Sequence, residues 1–71
     1  SKLADELHVS LPEDISAATY KLLALDGKLV KEGKLKAGKN TLVFNERLNG
    51  VFLLKLFCVS GEIVRKVVFE N

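Results

Sequence analysis

The sequence predicts a small all-β protein, an antiparallel sandwich or barrel of about six to seven strands. Apolar and polar residues alternate with a period of two along most of the chain, which is typical of half-buried strands. Six short alternating segments follow one another at a spacing of roughly 8 to 12 residues, with turn signals such as Asp26-Gly27, Asn49-Gly50 and Ser60-Gly61 between them. Residues 15–25 also have apolar side chains at helical spacing, but Thr19 and Tyr20 favour a strand there. We therefore expect no helix.

The first half of the chain predicts three strands. Residues 7–11 alternate apolar and polar side chains up to a proline, which ends the strand. Residues 18–25 form a second strand, and Asp26-Gly27 suits a tight hairpin to a third strand over residues 29–35. Gly33 predicts a bulge or a bend inside that third strand. The side chains predicted to share the apolar faces of the first two strands are Leu7, Val9, Leu11, Ala18, Tyr20, Leu22 and Ala24.

The second half predicts a turn over residues 37–40 and three further strands. The fourth strand covers residues 41–46, the fifth follows Asn49-Gly50, and the last covers residues 62–69. The fourth strand places Leu42 and Phe44 on one face, and the best candidate for the core is the side of the fifth strand that carries Phe52, Leu54, Leu56 and Cys58. The other side of the fifth strand is apolar except for Lys55. We therefore expect a central strand that is covered or partnered on both faces.

Size and composition limit the possible functions. A chain of 71 residues forms one domain, without room for a catalytic cleft beside a separate core. No apolar stretch is long enough to span a membrane, and the chain does not start with a signal peptide. A formal net charge of +2 is too small to indicate nucleic-acid binding by itself. The single cysteine cannot form a disulfide within the chain.

Cys58 and His8 are the residues most able to carry chemistry. The place of Cys58 in an apolar series favours a small buried hydrophobic residue over a nucleophile or an attachment point. His8 lies on the polar face of the first strand, with no cysteine or carboxylate at ligand spacing, so a metal site is not expected. A catalytic pair would require these two side chains to converge from strands whose faces differ in character. The sequence predicts no enzyme, cofactor or metal.

Lysines are concentrated in the second and third strands and the loop that follows. A nucleic-acid groove would need aromatic side chains between them, and only Tyr20 is near. Protection of an exposed strand edge is the better explanation, because pairing with another chain would bury their charge. These lysines are Lys21, Lys28, Lys31, Lys34, Lys36 and Lys39.

Taken in order, the turn and strand motifs resemble the C-terminal sorting domain of the type IX (Por) secretion system of Bacteroidetes. The resemblance covers residues 5–68. The family motif G-V-Y-x-L-x-I matches Gly50, Val51, Phe52, Leu54 and Leu56. The family's D/S-G turn matches Asp26 and Gly27, and its late glycine matches Gly61. Its basic pair in the last strand matches Arg65 and Lys66. The acid that often precedes the D/S-G turn is replaced by Ala24.

This resemblance implies an immunoglobulin-like β-sandwich that acts as a secretion signal. The whole chain, residues 1–71, would be a single domain at the C-terminus of a larger secreted precursor. The secretion machinery would read it in the periplasm and carry it with its cargo to the outer-membrane surface or the medium, where a sortase usually removes it. The alternative is an immunoglobulin-like accessory domain that binds carbohydrate or protein. We also expect homodimers by strand exchange or edge pairing, because the first strand is joined to the rest only through a polar turn.

Overall fold

The computed structural model describes residues 5–70, which form six strands and no helix. The strands pair into two antiparallel sheets, one of two strands in the order β1–β4 and one of four strands in the order β3–β2–β5–β6. The predicted all-β antiparallel sandwich is confirmed. The strands are β1 (Glu6–Leu11), β2 (Ala17–Ala24), β3 (Leu29–Lys36), β4 (Gly38–Val43), β5 (Gly50–Cys58) and β6 (Gly61–Phe69).

The β2–β3 hairpin turns at the predicted Asp26-Gly27 pair. The Gly27 amide donates to the carbonyl of Ala24 at 2.9 Å, and the Ala24 amide donates to the carbonyl of Lys28 at 2.9 Å. The Asp26 carboxylate accepts from the Lys28 amide at 2.9 Å. Gly27 has a φ of 92°, a conformation that side chains with a Cβ rarely adopt. A three-residue loop of this kind joins antiparallel strands with the twist they need.

The predicted irregularity at Gly33 is wrong, because Gly33 pairs in register with Tyr20. The register shift between β2 and β3 falls between Leu22 and Leu23 instead. At Gly33 the Tyr20 ring lies against the strand, so that an added Cβ would be 3.0 Å from the ring carbon Cε1. The glycine therefore makes room for a ring that is only 3% exposed.

The predicted turn over residues 37–40 is shorter in the structure, since β4 already begins at Gly38. The side chain of Asn40 satisfies the backbone at the junction of the two strands. Its Oδ1 accepts from the Lys36 amide at 3.0 Å, and its Nδ2 donates to the carbonyls of Lys36 at 2.9 Å and Gly38 at 3.2 Å. The chain can therefore pass from one sheet to the other within a few residues.

The core lies between the two sheets. Leu22 is fully buried, and Phe69 contacts the rings of Phe44 and Phe52 edge to face with centroids 5.8 Å and 5.5 Å away. Most of the predicted core residues are among the buried side chains, which are Leu11, Ala18, Tyr20, Leu22, Leu35, Leu42, Phe44, Leu48, Leu54 and Phe69. Leu7, Val9, Phe52, Leu56 and Cys58 are partly buried and pack against them.

β5 is a central strand, hydrogen-bonded to β2 on one edge and β6 on the other. We expect both of its faces to be covered or partnered, and residues 5–70 cover one of them. The two-stranded sheet lies against the face that carries Leu54, while the opposite face, with Val51, Leu53 and Phe57, has no second layer over it within residues 5–70. Those side chains are half-buried by their neighbours in the same sheet.

Candidate functional site

The residues matched to the sorting motif all belong to the four-stranded sheet and its β2–β3 turn. Gly50 opens β5 at the end of the sandwich where the Asp26-Gly27 turn also lies, because Ala24 pairs with Phe52. Gly61 lies at the other end, where it begins β6 with a φ of 139°. The matched residues therefore extend along the length of the sheet and do not form a single cluster.

Several of the matched side chains support the fold. Leu54 is 5% exposed, and Phe52 and Leu56 are half-buried against the core. The exposed members of the set are Asp26, Gly27, Gly61, Arg65 and Lys66, and Gly50 and Val51 are half-exposed.

The basic pair of the last strand is divided between the two faces of the sheet. Arg65 pairs with Leu54 and lies on the face toward the two-stranded sheet, while Lys66 pairs with Leu53 on the opposite face. The Arg65 guanidinium donates to the neighbouring Val64 carbonyl at 3.1 Å. β6 is an edge strand, so the two cations flank a free strand edge.

A groove runs between β1 and β6, where the two-stranded sheet does not cover the full width of the four-stranded sheet. It has a volume of about 420 Å³, and Arg65 lies at its side. The apolar residues that line it are Leu7, Val9, Leu11, Ile15, Leu54, Leu56, Ile63 and Val67. Within residues 5–70 β1 pairs only with β4, so its other edge is free of strand pairing along this groove.

Cys58 differs from its prediction as a buried hydrophobic residue. It is half-buried at the end of the sandwich, with its Sγ 3.2 Å from the Ser60 hydroxyl and 3.5 Å from the Gly61 carbonyl. The hydrogen bond from the Ser60 side chain is the main cause that lowers the pKa of the thiol, since it stabilises the thiolate. The thiol is therefore more accessible and more acidic than its place in an apolar series indicates.

His8 lies on the exposed face of β1, as predicted. Its Nδ1 is 3.2 Å from the hydroxyl of Thr41, its cross-strand partner. In the described part of the chain, no group of three His, Cys, Asp or Glu side chains could hold a metal ion. Residues 5–70 also include no helix long and apolar enough to cross a membrane.

Asp5 is a buried carboxylate whose structural role the sequence analysis did not identify. It is 7% exposed and accepts a hydrogen bond from the Leu48 amide, so it holds the loop between β4 and β5. Its backbone carbonyl accepts from the Phe44 amide at 3.0 Å. In the sequence Asp5 is recognisable only as an acid two residues before the alternating segment that starts at Leu7. That pattern does not show that its carboxylate binds the amide of Leu48.

Comparison with known proteins gives no relative. No family model matches the chain, and no curated protein and no solved structure is significantly similar to it.

Proposed function

We propose that this chain is the C-terminal sorting domain of a larger secreted protein and directs that protein across the outer membrane through the type IX secretion system. The folded sandwich itself is the signal, and the domain has no enzymatic activity. Its partners are the secretion machinery, met in the periplasm, and a surface sortase that usually cleaves the domain. The cargo then remains at the outer-membrane surface or enters the medium.

The observation that carries this proposal is the arrangement of the matched motifs. The Asp26-Gly27 turn and Gly50 lie at one end of the sandwich, and the segment from Gly50 to Leu56 forms its central strand. Arg65 and Lys66 lie beside that strand on β6. An export signal read as a folded unit needs a stable core and an accessible edge, and both features support the proposal.

A fusion to a periplasmic reporter tests it. The reporter carrying this chain at its C-terminus should reach the surface of a Bacteroidetes cell that has the type IX machinery and stay in the periplasm of a cell that lacks it. Deletion of residues 63–71 should also leave the reporter in the periplasm, because the loss of β6 exposes the edge of β5.

A control variant and a point variant separate recognition from folding. Val59 is fully exposed in the β5–β6 turn, so Val59→Ser should leave delivery unchanged. The double variant Arg65→Ala, Lys66→Ala keeps β6 and should reduce delivery if the basic pair is read. Surface delivery without the machinery, or of the deleted chain, would contradict the sorting function.

The groove between β1 and β6 favours a second candidate function, an immunoglobulin-like accessory domain that binds protein. Its floor is apolar, and the free edge of β1 offers backbone groups to an extended peptide. Continued periplasmic retention of every fusion, together with peptide binding in this groove, would support that candidate instead.

Self-association through β1 is the last part of the proposal. The Phe44 amide donates to the Asp5 carbonyl, so the backbone groups of Asp5 face β4. Along an antiparallel strand these groups face the partner and the opposite edge alternately, so those of Glu6, His8 and Ser10 face the free edge. A second copy could pair there or exchange this strand, whereas the lysines of β3 oppose pairing at the edge of that strand. Light scattering over a concentration series should show dimers, and Ser10→Pro should reduce them. A monomeric mass at millimolar protein would reject this part.

A further inference from the structure

The outer face of the four-stranded sheet, the side turned away from β1 and β4, combines apolar and basic side chains. β-Sheets of soluble proteins that face solvent usually alternate an apolar inner face with a polar outer one. Here the outer face carries seven large apolar side chains, five lysines and two glutamates. They are Leu23, Leu29, Val51, Leu53, Phe57, Val64 and Val68, then Lys21, Lys34, Lys36, Lys55 and Lys66, then Glu32 and Glu62.

The apolar side chains gather at the end of the face next to the β2–β3 hairpin. The strand register places Leu29, Leu23 and Leu53 in one row across three strands, and Val51 pairs with Val68 in the next row. Leu25 in the hairpin turn extends this end of the sheet and is 66% exposed. Contiguous exposed apolar surface of this kind marks interaction sites.

Lys21 and Lys55 lie at the middle of the next row, here called the lysine row, which Glu32 and Val64 complete on the two edge strands. Lys21 and Lys55 are direct cross-strand partners at the centre of the sheet, an unfavourable pairing of like charges, and Glu32 is the partner of Lys21 on its other side. Val64 is the partner of Lys55 on its other side, and Lys66 pairs with Leu53, so Lys55 and Lys66, unlike Lys21, have no acidic cross-strand partner. The Lys21 ammonium lies 5.9 Å from the centre of the Phe57 ring.

The acids of this part of the molecule lie at its margins. Glu32 and Glu62 belong to the two edge strands, and Glu70 follows the end of β6. Asp26 lies in the hairpin turn, where its carboxylate accepts from the Lys28 amide. The centre of the face is thus positive, and it is complementary to a negatively charged partner.

We propose that the outer face docks on an anionic lipid surface, with the apolar end inserted between the headgroups and the lysine row bound to their phosphates. Two residues along a strand separate the two rows by about 7 Å. Proteins that bind at a membrane surface bury their apolar face by about 5–10 Å into the boundary between headgroups and acyl chains. At that depth the apolar row contacts the acyl chains while the lysine row contacts the phosphates. Lysine stems lie against the apolar row while their ammonium groups reach the phosphates. This docking does not depend on the proposed sorting function.

Vesicle flotation with the purified chain tests the docking. The chain should float with vesicles of phosphatidylcholine and phosphatidylglycerol at low salt, and binding should fall at high salt because the attraction is screened. Vesicles of phosphatidylcholine alone should bind it much more weakly. No binding to the anionic vesicles, or equal binding to both kinds, would overturn the proposal.

Matched variants distinguish the contributions of the two rows to binding from general effects of net charge and hydrophobicity. Lys55→Glu should weaken binding by about 30-fold, since each charge near an anionic surface changes affinity roughly fivefold. Lys39→Glu makes the same charge change on the exposed face of β4 and should have a much smaller effect. Leu25→Ser should weaken binding about tenfold, whereas Val59→Ser, at the other end of the sheet, should not change it.

A soluble polyanion distinguishes a lipid surface from an acidic protein partner. Poly-glutamate should compete weakly, since it offers nothing to the apolar row. Binding to poly-glutamate as tight as binding to vesicles, with no loss in Leu25→Ser, would overturn the lipid proposal in favour of an acidic protein. Equal losses in Lys55→Glu and Lys39→Glu would show that only net charge acts and would also overturn it.

Discussion

Leu53 and Leu54 are neighbours of identical chemistry on opposite faces of β5, and their truncation to alanine should have unequal effects. Leu54 is 5% exposed and packs in the core, whereas Leu53 is half-buried on the outer face. Leu54→Ala removes three buried carbons, worth about 0.8 kcal/mol each, and leaves a cavity, so the loss should be about 3 kcal/mol. Leu53→Ala leaves no enclosed cavity and should cost about 1 kcal/mol.

This loss is large for so small a domain, whose free energy of unfolding should be roughly 4–10 kcal/mol. Urea unfolding followed by far-UV circular dichroism measures it, and the fluorescence of the single tyrosine, Tyr20, gives a second probe. In thermal unfolding, Leu54→Ala should lower the midpoint by roughly 12–24 °C. An equal or larger loss in Leu53→Ala would refute the face assignment and with it the placement of the core.

Three further predictions concern single contacts. Gly33→Ala should destabilise the fold by about 1–3 kcal/mol, because the new Cβ meets the Tyr20 ring, and a Tyr20→Leu background should relieve this in urea unfolding. Asp5→Ala should cost about 1.5–3 kcal/mol by the same measurement, since a buried loop amide loses its carboxylate. Ser60→Ala should raise the pKa of Cys58 and move the pH profile of its alkylation by iodoacetamide to higher pH; an unchanged profile would exclude the hydrogen bond as the cause.

The positions of the strands could be predicted because short-range chemistry determines them. Alternation on β5 gives the face that Leu54 shares with the core, and Asp26-Gly27 fixes the β2–β3 hairpin through local hydrogen bonds. The two-residue period of a strand also predicts that the neighbours Arg65 and Lys66 lie on opposite faces, although the sorting motif groups them as a basic pair. These features need no knowledge of which strands are neighbours.

The features that were not predicted depend on contacts between distant segments. Gly33 is regular because the ring of Tyr20 fills the space beside it, and Cys58 is accessible because its strand ends beside Ser60. Within the described residues the outer face of β5 has no second layer over it, because the other sheet has two strands and lies on the opposite side. Alternation gives each strand an apolar face, but it does not tell how many strands are available to cover that face.

The free edge of β6 determines how any receptor could read the basic pair. Arg65 lies on the groove side of the sheet and Lys66 on the outer face, so no partner on a single face contacts both. A partner that approaches the edge of β6 meets both cations and a row of unpaired backbone groups at once. A receptor of the sorting domain that requires both residues must therefore engage this edge. One that binds only the outer face would tolerate Arg65→Ala and lose affinity in Lys66→Ala.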